Sequence, residues 1–361
     1  MILTIITFVV ILSLLVLAHE FGHFLVAKKT GIKVEEFAIG FPPRLWSKKV
    51  GETAYSINAV PLGGYVKMLG EVEKSKDPRA FENQSRGVRF SVAVAGVVMN
   101  IVLAWVILML GFTIGMSPIV SDYRDIPGEV ISSEIIVATV LPDSAAEQAG
   151  IKQMDRIKSM QLDGESYDFG SVEDLSEFTR SHKGNNVKVY LSRDGSDQSY
   201  DVTLGSGDSS PFGISAVNNA VVRVPWYKSP YVALRETYEI TRYTAVFVGQ
   251  LFSKVFTDSQ VKEQVGGPVQ IYLATGTAVK IGFVAVLQLI AILSVNLAII
   301  NILPLPALDG GRILFIIIET IARKRIIKEK VESIIHAIGF ALLLGLIVLV
   351  TYNDIAKIIA K

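Results

Sequence analysis

The chain has no cysteine in its 361 residues, which excludes disulfides and thiolate metal ligands. Histidine is scarce, four in all, so a metal site here must draw on imidazoles and carboxylates. Neither sign of charge is in excess: 35 Lys and Arg stand against 34 Asp and Glu, and that balance implies no affinity for nucleic acid. Charged residues make up only 19% of the chain while 50% is hydrophobic, a composition weighted toward the membrane. The amino end has no basic n-region and its apolar run carries a motif, so it does not read as a cleavable signal peptide.

That motif is His19-Glu20-Phe21-Gly22-His23, set in an almost wholly apolar stretch from Met1 to Ala27 that Lys28 and Lys29 close. The stretch is long enough to cross a bilayer as a helix. His19 and His23 are four residues apart, so both imidazoles project from one helical face. Two neutral imidazoles can hold Zn²⁺, and Glu20 beside them can take a proton from water activated by the metal. An ionisable residue at the centre of a spanning helix costs about 2.5–3.5 kcal/mol on insertion scales. Three within five residues need compensation, and a metal inside a helix bundle supplies it.

Three more segments read as spans: Phe90 to Met116, Val279 to Leu303 and Ile334 to Tyr352. The expected organisation is therefore span one at 1–27, a loop at 28–89, span two at 90–116 and a polar domain at 117–216. An amphipathic region at 217–278 follows, then span three with its following helix at 279–322, a basic connection at 323–333 and span four with a tail at 334–361. Lys28 to Arg89 holds 12 Lys and Arg against 7 Asp and Glu, and Arg323-Lys324-Arg325 marks the later connection, so both loops are expected to be cytoplasmic. The polar domain and both termini then lie outside the cell membrane, the inner one if there are two. Within that domain, Ile131 to Leu204 reads as strand, short helix, strand, helix and two strands, with turns at Asp163-Gly164 and Asp194-Gly195. Pro230 to Phe256 reads as an interfacial amphipathic helix, with Tyr231, Leu234, Tyr238, Ala245, Val248 and Phe252 on its apolar face. Arg235, Glu236, Glu239 and Arg242 decorate the other side.

Two histidines leave zinc short of a third protein ligand, and the best candidate is Asp309 in the run Asn301 to Gly311. Pro304 and Pro306 interrupt the third span there, and irregular backbone at membrane depth is tolerated only against protein or water. Gly310 and Gly311 let another backbone approach closely. The alternative is an aspartate that merely caps a helix at the membrane surface.

Taken together, HEFGH in the first span and Asn301-Ile302-Leu303-Pro304-Leu305-Pro306-Ala307-Leu308-Asp309-Gly310-Gly311 in the third resemble the site-2 protease family of intramembrane zinc metalloproteases, of the bacterial RseP type. The resemblance covers nearly the whole chain. It implies a polytopic α-helical membrane protein with four transmembrane helices, an inserted α+β PDZ-like domain and a membrane-associated β-hairpin. Leu141 to Ile151 resembles the segment before the second strand of bacterial PDZ domains. The resemblance makes His19, His23 and Asp309 the zinc ligands and Glu20 the catalytic base. Asn301 and Asn296 match asparagines that hold the substrate backbone or oxyanion, with interhelical hydrogen bonding as the alternative. Ile57 to Leu69, with Gly64, Tyr65 and Val66, looks like the hairpin that pairs with an extended substrate. Gly40 to Trp46 resembles a GFGP-type loop, with Pro42 where glycine is usual. Ala95 to Asn100 resembles AGPxxN with valine for proline, and Gly96 and Asn100 are read as packing residues. His182 and His336 read as a surface and an interfacial histidine.

The implied activity is zinc-dependent hydrolysis of peptide bonds in transmembrane segments of single-span membrane proteins shortened beforehand, the family's usual clients being anti-sigma factors and signal-peptide remnants. The PDZ-like domain would gate their access, and lipid would be the other partner. Two other classes compete: a catalytically silent PDZ membrane scaffold, which has no need of Glu20, and an intramembrane ion transporter, which needs no HExxH and usually shows an inverted repeat.

Overall fold

The computed structural model describes residues 1–71, 75–193, 195–207, 210–254, 266–323 and 329–359. They divide into two units, residues 1–111 with 229–361 and residues 112–228. Asp194, Lys324, Arg325 and the end of the Pro230 to Phe256 segment fall outside the described residues.

Helix α1 (Ile2–Lys29) is 28 residues long, about 42 Å at 1.5 Å per residue, enough to cross a hydrocarbon core of about 30 Å. Lys28 and Lys29 in its last turn suit the negative end of the helix dipole. Strands β1 (Val34–Val50) and β2 (Thr53–Met68) then pair as a long antiparallel hairpin that folds back on itself. Residues 36–39 have partners in both 54–57 and 64–67. The sheet leans on α1: a Cβ on Gly64 would lie 2.8 Å from Leu17, and Ser13 Oγ donates to Pro61 O at 2.6 Å. The hairpin is thus larger than the Ile57 to Leu69 segment expected from sequence, and Gly40 to Trp46 is strand, not loop. Bends at Gly40 (φ 78°) and Gly63 (φ 85°) break the alternation that would have marked these strands.

Helix α2 (Arg86–Ile114) leads into the second unit. That unit is a six-stranded antiparallel sheet in the order β7-β6-β4-β3-β8, with β5 on β4. Its elements are β3 (Glu129–Val140), α3 (Ala145–Gln148), β4 (Arg156–Leu162), β5 (Glu165–Asp168), α4 (Val172–Ser181), β6 (Asn186–Arg193), β7 (Ser196–Thr203) and β8 (Ile214–Arg223). Alternate residues such as Val137, Met160, Val189 and Leu191 point into one apolar core. Buried Asp155 is held there by two bonds from Arg193, at 2.6 and 2.7 Å, and by the Lys152 N–H. The expected strand and helix order is present, with β5 and β8 added, and Asp163-Gly164 turns at φ 52° and 91°.

The chain re-enters the first unit with α5 (Ser229–Lys254). Its two faces do not separate as the amphipathic expectation had them: Arg235 and Arg242 are exposed along with the Tyr and Leu stripe. Val232, Ala233, Glu236, Thr237 and Ile240 are buried, while Tyr231, Leu234 and Tyr238 are exposed. Small and polar side chains filling the helix seam, with large apolar ones outside, is how helices pack in lipid. Helix α6 (Pro268–Ile281) is about 21 Å long, too short to span, and the Asp354 carboxylate accepts from the N–H groups of Gly267 and Gln270 at its start. Gly282 at φ 133° separates it from α7 (Phe283–Ile302), so the third span begins at Phe283 and not at Val279. Helices α8 (Asp309–Ile321) and α9 (Glu329–Ile359) complete the chain. Among the described residues, four helices are long and apolar enough to cross a membrane: Ile2–Lys29, Arg86–Ile114, Phe283–Ile302 and Ile334–Ala356.

Candidate metal centre

The site is built where α1 and α2 touch. A Cβ on Gly22 would lie 2.3 Å from Ala95 O, so the two helices meet backbone to side-chainless backbone. That closeness brings His23 Nδ1 to 2.7 Å from Val92 O. A carbonyl only accepts, so Nδ1 carries the proton and Nε2 is left with its lone pair. Gly96 makes room for both rings: a Cβ there would lie 2.5 Å from His23 Nε2 and 2.6 Å from His19 Cε1.

Asp309 arrives from the other side. Pro304 and Pro306 end α7, and the loop turns back through Ala307, at φ 78°, onto the start of α8. A Cβ on Gly310 would lie 2.1 Å from Leu303 O and one on Gly311 2.5 Å from Leu305 O, so the expected close approach is real and only glycine permits it. His336 on α9 fixes the same loop, its Nδ1 accepting from the Ala307 N–H at 3.0 Å. It is therefore part of the site's framework and not simply an interfacial residue. His182 contacts its own helix end, at Phe178 O, in the other unit.

The three expected ligands converge. Asp309 Oδ2 lies 2.9 Å from His19 Nε2 and 3.2 Å from His23 Nε2, and the two Nε2 atoms are 3.1 Å apart. Ligand atoms about 2.1 Å from a tetrahedral metal are separated by about 3.4 Å, so this triangle matches a zinc site to within about half an ångström. Asp309 Oδ2 is buried and receives no hydrogen bond, an arrangement that a cation would satisfy. The donor set of two imidazoles and a carboxylate fits zinc.

A cavity of about 530 Å³ opens on these groups. Glu20, Asn301, Tyr65 and Val66 line it, and so do His336, Glu71 and Arg312. Glu20 Oε2 accepts from the Val66 N–H at 3.2 Å, tying the motif to the hairpin. Two residues on, the Met68 N–H is taken by Glu71 Oε2 at 3.3 Å, and Glu71 Oε1 accepts from Arg312 at 2.5 Å. Asn301 Nδ2 lies 3.5 Å from His19 Nδ1. Gly64 serves the close approach of β2 to α1. Asn296 does not line the cavity; its Oδ1 accepts from Thr244 on α5 at 3.2 Å, the interhelical alternative. The contributions of Val92, Gly96, Asn100 and His336 were not assigned from sequence, although 92, 96 and 100 share one face of α2 by spacing alone.

A helix-borne HExxH with a distant aspartate, in a bundle of apolar helices, defines a membrane metallopeptidase. Comparison with known proteins agrees. The model of peptidase family M50 matches residues 7–346. A putative zinc metalloprotease of Clostridium perfringens is 37% identical over 348 residues, covering 95% of this chain and 96% of its own. The zinc metalloprotease RasP of Geobacillus kaustophilus is 30% identical over 437 residues, covering 98% of each chain. The chain belongs to peptidase family M50, the site-2 protease family, and is a metalloendopeptidase.

Proposed function

We propose that this protein is a zinc-dependent protease that cuts transmembrane segments of other membrane proteins. The observation that carries the reading is the meeting of His19, His23 and Asp309 Oδ2 within 3.2 Å, among helices of spanning length. These residues would hold zinc, which when bound supplies Lewis acidity for carbonyl polarisation and acidifies water. Glu20 is the general base and acid: with Oε2 fixed by the Val66 N–H, Oε1 accepts a proton and delivers it to the leaving nitrogen. Asn301, on the cavity wall, donates to the substrate backbone.

A helical segment must unwind before a peptidase can reach its backbone. The edge of β2 at Tyr65 and Val66 lines the cavity, and it offers backbone groups to an extended chain. Gly64 keeps that edge against α1. The inserted sheet unit, a PDZ-like domain in its order of strands and helices, restricts access to clients already shortened. By the basic excess of the loops, the protein is a multi-pass protein of the cell (inner) membrane with that unit outside.

The test is metal content together with cleavage. Wild type holds about one zinc per chain, as a single three-ligand site requires. His23→Ala and Asp309→Ala each lose most of it, and Glu20→Gln keeps zinc while losing cleavage of a shortened single-span client. Full zinc occupancy in Asp309→Ala would remove that residue from the site.

A further inference from the structure

One face of α2 presents three groups, four residues apart, to the two histidines. Val92 gives its carbonyl to His23 Nδ1, Gly96 gives space to both rings, and Asn100 reaches His19 Nδ1, with Nδ2 at 3.3 Å. The two imidazoles are treated differently. His23 has an unambiguous acceptor, so its tautomer is set and Nε2 is free to ligate. At its Nδ1, His19 meets carboxamides, those of Asn100 and Asn301.

Asn100 is completely buried, and its Oδ1 has no hydrogen-bond partner. A buried carbonyl oxygen left unpaired costs about 1–3 kcal/mol. With NH₂ toward Nδ1, the His19 proton would sit on Nε2, against His23 Nε2 and Asp309, and would prevent ligation. The two ends of a carboxamide have nearly the same shape, so a half-turn needs no extra space. It brings Oδ1 to His19 Nδ1, gives that oxygen a donor and leaves Nε2 with a lone pair.

We propose that Asn100 is a positioning residue for the metal ligand His19, its carboxamide oxygen accepting from Nδ1–H and so fixing the ring's tautomer and orientation. The side chain is fully buried and cannot touch substrate, which separates it from Asn301 on the cavity wall. Its helix is held in turn: Ser294 Oγ on α7 donates to the Asn100 peptide oxygen at 2.8 Å. Outer partners of this kind change metal affinity by about 10–100-fold when removed.

The inference rests on the zinc reading above, and a chelator competition separates the two. Zinc dissociation constants are measured on purified wild type, Asn100→Leu, Asn100→Asp and His23→Ala, with zinc-free melting temperature recorded for each. Asn100→Leu, close in size but without an acceptor, should weaken zinc by about 10–100-fold. Asn100→Asp retains an acceptor and should stay within about threefold of wild type, since a carboxylate is the commoner partner of a ligating histidine. Cobalt substitution should give the wild-type visible spectrum in Asn100→Asp and a changed one in Asn100→Leu. Wild-type affinity in Asn100→Leu would overturn the proposal. So would an Asn100→Asp that loses zinc, because the amide would then be acting as a donor. Should Asn100→Leu fail to fold, the aspartate variant alone decides by that same criterion. A folded wild type that binds no zinc, or a His23→Ala that binds it normally, would instead overturn the function reading.

Discussion

Gly96→Ala sets helix stability against metal binding. The added methyl would lie 2.5 Å from His23 Nε2, 2.6 Å from His19 Cε1 and 2.8 Å from His19 Nδ1. Non-bonded heavy atoms settle at about 3.5 Å or more, so one or both rings must retreat by about 1 Å. Metal sites tolerate about 0.2 Å in ligand distance, and a 1 Å displacement in an active site costs about 100-fold, or about 2.7 kcal/mol. Alanine meanwhile improves a helix interior by about 1 kcal/mol over glycine. Zinc affinity and turnover should therefore fall by about two orders of magnitude while the zinc-free protein melts no lower than wild type. Gly345→Ala, where nothing lies within 4 Å of the new methyl, is the control and should leave zinc and turnover untouched. The measurement is chelator competition, calorimetric melting and cleavage of one shortened client. Wild-type zinc affinity in Gly96→Ala would refute the steric reasoning and, with it, the placement of the two rings against α2.

Arg89 and Glu319 form a buried ion pair between α2 and α8, with side chains 11% and 7% exposed. Arg89→Met should cost about 3–5 kcal/mol by taking the guanidinium from a buried carboxylate, and Arg89→Met with Glu319→Leu should recover most of it, as read from melting in detergent. Val66→Pro removes the N–H that holds Glu20, so turnover should drop by about 10–100-fold for any client, and further for clients whose helices resist unwinding. Replacing residues 131–204 with a short flexible linker should leave zinc content unchanged and permit cleavage of an uncut client that wild type ignores. Continued refusal of that client in a folded deletion protein would assign the filter to another segment.

The candidate ligands were legible because their signal is local. His19 and His23 announce themselves by spacing and by their cost in an apolar run, and Asp309 by the prolines and glycines around it. The residues that shape the site were less so. Asn100 and His19 are 81 positions apart, and an uncharged amide in a span has a packing role by default. His336 lies at the start of a span, where histidine is common, and nothing nearby announces its bond to Ala307. The α5 helix poses a different difficulty. A stripe of Tyr and Leu points inward in water and outward in lipid, so its pattern alone does not say which side is buried. The full length of the hairpin strands was hidden because two positive-φ glycines reset their alternation.

The edge of β2 has a further meaning. In a medium with no water, a bare strand edge would accept any chain that drifted past, including a second copy of the same hairpin. Here the outward N–H groups of Val66 and Met68 are each occupied by a carboxylate of the protein itself, Glu20 and Glu71. Glu20 is kept for the chemistry, so the placeholder is Glu71: on the proposed function, an incoming backbone would gain the Met68 N–H only by dislodging it. Weak, easily unwound segments can make that exchange with groups already freed. On the proposed function a stable helix would first have to surrender its internal bonds, so the resting state itself would discriminate among the helices a membrane offers.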